Sequence, residues 1–166
     1  MKEYLSLVPG PTQVHPRVLA SMSEQVMTHL NEEWKPYYLR VCDNMRKIFK
    51  TSGEVFLMAS SGTGAMEAAV SSMIAPGEKI LVLSNGLFGE RIAMIARSYR
   101  LDVEVLSFPT DGPISADSLR ARLEAGTDGI AAVGAVYSES QNGILNPIRD
   151  VAKVCNAFSI PLIVDT

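Results

Sequence analysis

The 166 residues predict an α/β fold: a mostly parallel sheet covered on both faces by helices. Two observations carry the prediction. Ile130–Val136 and Ile160–Val164 are continuous apolar runs without alternation, as expected of strands with helices on either side. From residue 55 onward, strand-like and helix-like stretches take turns, and each strand-like stretch ends in polar or glycine-rich sequence.

The elements follow in order. An extended arm through Pro9-Gly10-Pro11 leads to an amphipathic helix from His15 to about Thr28, with Val18, Leu19, Met22 and Val26 on one face and Pro16 in the first turn. A second helix spans Trp34 to Phe49, with Pro36 in its opening turn. A strand at 55–58 gives way to a helix from about 62 to 75, stopped by Pro76-Gly77. Next come a strand at 80–83, a helix from about 87 to 99, and a short strand at 103–106. Past the turn-rich Pro109–Pro113, Ser115 is placed as an N-cap, Ile114 as a staple against Leu119, and Gly126 as a stop. The strand at 130–136, a helix from Pro147 to about Phe158 and the strand at 160–164 complete the series.

Composition narrows the function classes. With 47% apolar and 20% charged residues the chain suits a globular domain with a sizeable core. A net charge of −3 and a pI near 5.4 argue against a nucleic-acid or anionic-membrane surface. Cys42 and Cys155 lack metal or C-x-x-C spacing and read as buried thiols in a reducing cytoplasm. No apolar run reaches membrane-spanning length, and the first residues lack a signal-peptide core.

In a parallel α/β sheet, ligands bind beyond the carboxyl ends of the strands, so chemistry is sought there. Ser61-Gly62-Thr63 at a helix start has the free N–H groups, dipole and small side chains that suit a phosphate, although a plain tight turn fits as well. Phe88, between Gly86 and Gly89, is either a core plug or a plate for a flat ligand. Tyr137–Gly143 is rich in hydrogen-bonding side chains. Asp165 follows an apolar strand and is either a strand-end acid or a carboxylate at the crevice floor that needs a cationic partner. Together these features describe a pocket for a flat, phosphorylated, cationic heterocycle, and pyridoxal 5′-phosphate has those properties.

At these residues the chain resembles the class V group of fold-type I pyridoxal-phosphate enzymes, especially the alanine–glyoxylate and serine–pyruvate aminotransferases. The resemblance rests on Leu7-Val8-Pro9-Gly10-Pro11-Thr12, Ser61–Ala68, Asn85-Gly86-Leu87-Phe88-Gly89-Glu90-Arg91, Glu139-Ser140 with Gly143-Ile144-Leu145, and Ile163-Val164-Asp165-Thr166. It departs from the family at Thr63, where several relatives carry histidine, at Phe88, where many have tryptophan, at Gln141-Asn142, where Ser-Thr is common, and at Leu30, where an arginine is often found.

The resemblance implies roles. Ser61, Gly62 and Thr63 would bind the cofactor phosphate, Phe88 would stack on the ring, Ser140 would bond near the 3-hydroxyl side, and Asp165 would pair with the protonated pyridine nitrogen. Gly10 is the candidate for the border of the substrate pocket. No metal is expected. The resemblance also implies a homodimer, small amino acid and 2-oxo acid substrates, and a cofactor-bearing lysine shortly after the Val-Asp strand end. No lysine of the chain occupies that place, so the sequence reads as the N-terminal part of a larger enzyme, inactive alone. On this reading residues 1–50 form an arm and first helices, and residues 51–166 the first part of an incomplete cofactor-binding large domain. Two rivals stay open: a class V lyase such as a cysteine desulfurase, and a nucleotide-binding α/β module. Against the second stands the lack of G-x-G-x-x-G.

Overall fold

A computed structural model of the chain describes residues 5–127 and 129–166; residues 1–4 of the expected arm, and Asp128, lie outside the described residues. The chain forms two compact units, residues 1–59 and residues 60–166.

The first unit holds α1 (Pro16–Ser21) and α2 (Trp34–Phe49). The sequence anticipates α2 to the residue, with Pro36 in the first turn and Lys50 closing it in the left-handed conformation. Two expectations fail here. The helix expected from His15 to Thr28 stops at Ser21, and the Ser21 and Ser23 hydroxyls bond the carbonyls of Val18 and Ala20 at its end. Its apolar side chains are not buried, and so short a helix has little of its own to hold it. Residues 55–58 are not a strand: among the described residues none pairs with them, and Phe56 and Met58 are exposed. An apolar run becomes a strand only where a sheet edge accepts its backbone, which sequence cannot reveal.

The second unit is built as α3 (Gly62–Met73), β1 (Lys79–Ser84), α4 (Leu87–Ser98), β2 (Asp102–Ser107), α5 (Ala116–Glu124), β3 (Ile130–Val136), β4 (Ser138–Glu139), β5 (Ile144–Leu145), α6 (Ile148–Ala157) and β6 (Leu162–Asp165). The main sheet runs β2-β1-β3-β6 with every pairing parallel. β4 and β5 form a small antiparallel hairpin directly after β3.

Strand alternation divides the core into two layers. Ile80 and Val82 of β1 pack with Val70 of α3 and Ile92 and Ala96 of α4 on one face. Leu81 and Leu83 pack with Leu119 and Leu123 of α5 and Val151 and Val154 of α6 on the other. Both layers are fully covered, so β1 and β3 carry apolar side chains in both directions. Each fully buried Leu, Ile or Val among them contributes about 1.5–3 kcal/mol of burial. Cys42 and Cys155 are buried free thiols, and burial pushes the Cys155 thiol up to about 11.

α5 begins as its sequence requires, with the Ser115 hydroxyl accepting from the Ser118 N–H and Ile114 buried beside Leu119. Arg122 on that helix clamps Glu104 of β2 through Nε and, at 2.7 Å, through Nη2, while Nη1 donates to the Gly126 carbonyl. The guanidinium holds the Glu104 carboxyl below its ordinary range. A depressed carboxylate stabilises the fold above its unfolded pKa, and the gain is lost as pH falls through the folded value. The pair is partly exposed and screened, so Glu104→Gln is expected to cost about 0.5–1 kcal/mol. Urea titrations should show that loss at neutral pH and none in strong acid.

Candidate functional site

Three chain segments meet beyond the carboxyl ends of the strands: the start of α3, the turn from β1 into α4, and the β4–β5 hairpin. Two helix N-termini are present there, and they are treated differently.

The start of α4 is closed from within. Its first N–H groups belong to Leu87, Phe88 and Gly89. Leu87 N donates to Gln141 Oε1 at 2.6 Å, and the Glu139 carboxylate accepts from Phe88 N at 3.1 Å and Gly89 N at 3.3 Å. Glu139 is fully buried and also accepts from Gln141 N. An anion at a helix start satisfies donors that have no intrahelical partner. The carboxylate comes so close that a Cβ on Gly86 would lie 2.6 Å from Glu139 Cδ; separately, the end of β1 crowds Gly89, where a Cβ would lie 2.8 Å from the Ser84 Cα. The two glycines of the Asn85–Arg91 segment are therefore demanded by close packing.

The start of α3 is open. Ser61 caps it, its Oγ accepting from Gly64 N at 3.3 Å and its carbonyl from Ala65 N at 3.1 Å. Among the described residues, none accepts from the N–H groups of Gly62 or Thr63. Gly62 has open space where a side chain would stand, and the Ser60 and Thr63 hydroxyls flank the turn. This donor set fits a phosphate.

Phe88 is half-buried against the core layer under α4, so the core-plug reading is partly right. One ring face is covered by Arg91, whose Cζ lies 4.6 Å from the ring centroid, and Arg91 Nη1 donates to Thr63 Oγ1 at 3.3 Å. Asp165 is half-buried at the end of β6, level with Val136 of β3. Burial raises its pKa above the ordinary carboxylate value and the Glu139 charge adds to the rise, while Arg91 and the Thr166 backbone N–H offset part of it. A carboxylate so placed is short of positive charge, which suits the protonated nitrogen of a pyridine ring.

The structure thus brings Ser61, Gly62, Thr63, Phe88 and Asp165 to one end of the sheet, joined through Arg91 and Glu139. Ser140 follows Glu139 in the hairpin turn and is exposed. Gly10 belongs to the unit of residues 1–59, where it is exposed and joined to Pro11 by a cis peptide bond. A cavity of about 310 Å³ lies at the carboxyl ends of β1 and β2, lined by Ser84, Gly86, Phe108 and Gln141 among others. A larger one of about 440 Å³ sits at the strands' amino ends and holds none of the residues above.

Sequence reasoning missed a buried polar knot beneath the rim. Asn85 and Asn146 bond each other at 3.0 and 3.1 Å. Asn85 also donates to the Gly112 carbonyl, and Asn146 donates to the Val136 carbonyl and accepts from Ile114 N. Asn142 donates to the carbonyls of Asn85 and Thr110. The signal that could have found it is a lone asparagine directly after an apolar strand, matched by another before a proline at a helix start.

Comparison with known proteins decides what this arrangement belongs to. The model of the aminotransferase class-V family matches residues 5–166. The chain belongs to the class-V aminotransferases. These are pyridoxal-phosphate-dependent enzymes of fold type I, and the parallel sheet between helix layers is the same fold. Over 162 residues the chain is 33% identical to an uncharacterised aminotransferase of Methanocaldococcus jannaschii, a match covering 98% of this chain and 42% of that protein. It is 32% identical over 176 residues to a 2-aminoethylphosphonate–pyruvate transaminase of Bacteroides fragilis, covering 99% of this chain and 46% of that one. An alanine–glyoxylate aminotransferase from Nostoc sp. superposes with a TM-score of 0.86 at 30% identity, over 99% of this chain and 43% of that chain. The class-V chain described here therefore spans less than half the length of these relatives. Among its described residues no helix is long and apolar enough to cross a membrane.

Proposed function

We propose that this chain is the cofactor-cradling part of an aminotransferase that moves an amino group from a small amino acid, alanine or serine, to a 2-oxo acid, glyoxylate or pyruvate. The observation that carries the reading is the contrast between the two helix starts: α4 is filled by Glu139 and Gln141, whereas α3 offers free N–H groups and hydroxyls within the same cluster as an under-compensated Asp165. Ser61, Gly62 and Thr63 hold the phosphate through N–H groups and hydroxyls. Phe88 offers a flat apolar surface to the ring, Ser140 a hydroxyl on its 3-hydroxyl side, and Asp165 keeps the pyridine nitrogen protonated. With that nitrogen protonated, the bound cofactor acts as the electron sink that makes a substrate α-proton labile. Gly10, on the family resemblance alone, is the candidate for the border of the substrate pocket.

The acceptor half is supported by two relatives whose names carry a 2-oxo acid, pyruvate in one and glyoxylate in the other. The proposal includes a cytoplasmic homodimer, and a lysine and a substrate-gripping arginine lying outside this chain. It follows that the 166 residues alone do not transaminate.

The test is a donor and acceptor panel on a protein of the relatives' full length. Such a protein should be yellow, should lose its visible band on borohydride treatment, and should turn over alanine or serine with glyoxylate or pyruvate. Preference for 2-aminoethylphosphonate would overturn the donor half, and a colourless protein that binds no pyridoxal phosphate would overturn the whole. Measurable transamination by the purified 166-residue chain would overturn the claim of inactivity.

A further inference from the structure

Arg91 has no role in the reading above, yet it touches two of the groups that reading uses. It sits one helical turn after Phe88 on α4, so its guanidinium folds back over the ring, 4.6 Å from the centroid. Its Nη1 donates to Thr63 Oγ1 at 3.3 Å, across from α4 to the first turn of α3. Among the described residues, no carboxylate lies within ion-pair distance of it.

We propose that Arg91 is a positioning residue of the cofactor site, fixing the Phe88 ring and the Thr63 hydroxyl in one arrangement before the cofactor arrives. The inference rests on the pyridoxal phosphate reading of the site. Two physical consequences follow from the contacts. A planar cation lying over one face of Phe88, which also packs against the core layer, restricts rotation of the ring. A hydroxyl that accepts from Arg91 keeps its own hydrogen free, so Thr63 is set as a donor toward a phosphate oxygen. Both groups are thereby ordered in advance, which lowers the entropy lost when the cofactor binds. Glu139 and Arg91 are the charged groups that act on Asp165, and the guanidinium is the positive one.

Lysine and glutamine separate the two functions. Arg91→Lys can still donate to Thr63 but cannot lie flat on the ring, whereas Arg91→Gln loses the charge and most of the stacking. In a protein of the relatives' full length, Arg91→Gln is expected to weaken pyridoxal phosphate binding about tenfold. It should also diminish the circular dichroism of the bound cofactor's visible band. Arg91→Lys should recover most of the affinity but not the dichroic band. Binding of pyridoxal, which lacks the phosphate, should be less sensitive to Arg91→Gln than binding of the phosphorylated cofactor. If Arg91→Gln does not fold, Arg91→Lys alone carries the comparison through the dichroic band. Wild-type affinity and an unchanged visible band in both variants would overturn the proposal and leave the cofactor reading standing. A wild-type protein that binds no cofactor would overturn both.

Discussion

Asp165→Asn, in a protein of the relatives' full length, is expected to lower turnover by about a hundredfold or more, the size of a lost charge-stabilising contact in a reaction centre. Phosphate affinity should barely change, because the proposed phosphate donors are on α3. The reason lies in the surroundings of the carboxylate. Burial and Glu139 raise its pKa, and Arg91 and the Thr166 N–H make good only part of the difference. The free site therefore lacks positive charge that a protonated ring nitrogen would supply. The same surroundings give the substitution an opposite effect on the chain without cofactor. A carboxyl whose folded pKa is raised makes stability fall as pH climbs from the ordinary carboxylate value through the raised one. Asp165→Asn should thus raise the unfolding temperature at neutral pH, with the gain vanishing in acid. Unchanged turnover would sink the assignment of Asp165, and an unchanged melt at neutral pH would sink its electrostatic account.

Glu139→Ala is expected to destabilise the chain by about 2–4 kcal/mol, read as a lower midpoint of urea unfolding. The carboxylate is fully buried and accepts from the N–H groups of Phe88, Gly89 and Gln141. Removing it leaves the buried Gly89 N–H and the half-buried Phe88 N–H without an acceptor, and an unsatisfied buried group costs about 1–3 kcal/mol. Glu139→Gln keeps one acceptor oxygen and should cost less. Gly86→Ala should mimic the loss, since its Cβ would come within 2.6 Å of the Glu139 side chain. A stable Glu139→Ala chain would mean that α4 does not depend on this internal anion.

Glu139 also marks where sequence reading stops. A glutamate in a run of polar residues after a strand reads as solvated, and nothing local announces that it folds back into a helix start some fifty residues earlier in the chain. What was legible depended on local chemistry. The unbroken apolar runs of β3 and β6, the Ser115 cap, the Ser61 turn and Asp165 at its strand end each follow from neighbouring residues alone. Residues 55–58 and the second half of the first expected helix were misread for one shared reason. Both have a suitable apolar pattern, and both lack a surface among the described residues on which to bury it. Arg91 stood in plain view within the Asn85–Arg91 segment, but its contacts with Phe88 and Thr63 depend on how α3 and α4 pack.

The Asn85–Asn146 knot has a consequence for how such a site can diversify. Backbone groups at Val136, Gly112 and Ile114 are all tied to these two amides, so the connections that follow β1, β2 and β3 are stitched to one point. Loops of an α/β sheet ordinarily tolerate insertions because each hangs from its own strand. Here an added residue in any of the three would pull on the other two. Replacing the side chains of exposed positions such as Leu87, Thr110 and Tyr137 leaves the bonds of the knot in place, so the rim is expected to accept change there at less cost than a change of loop length.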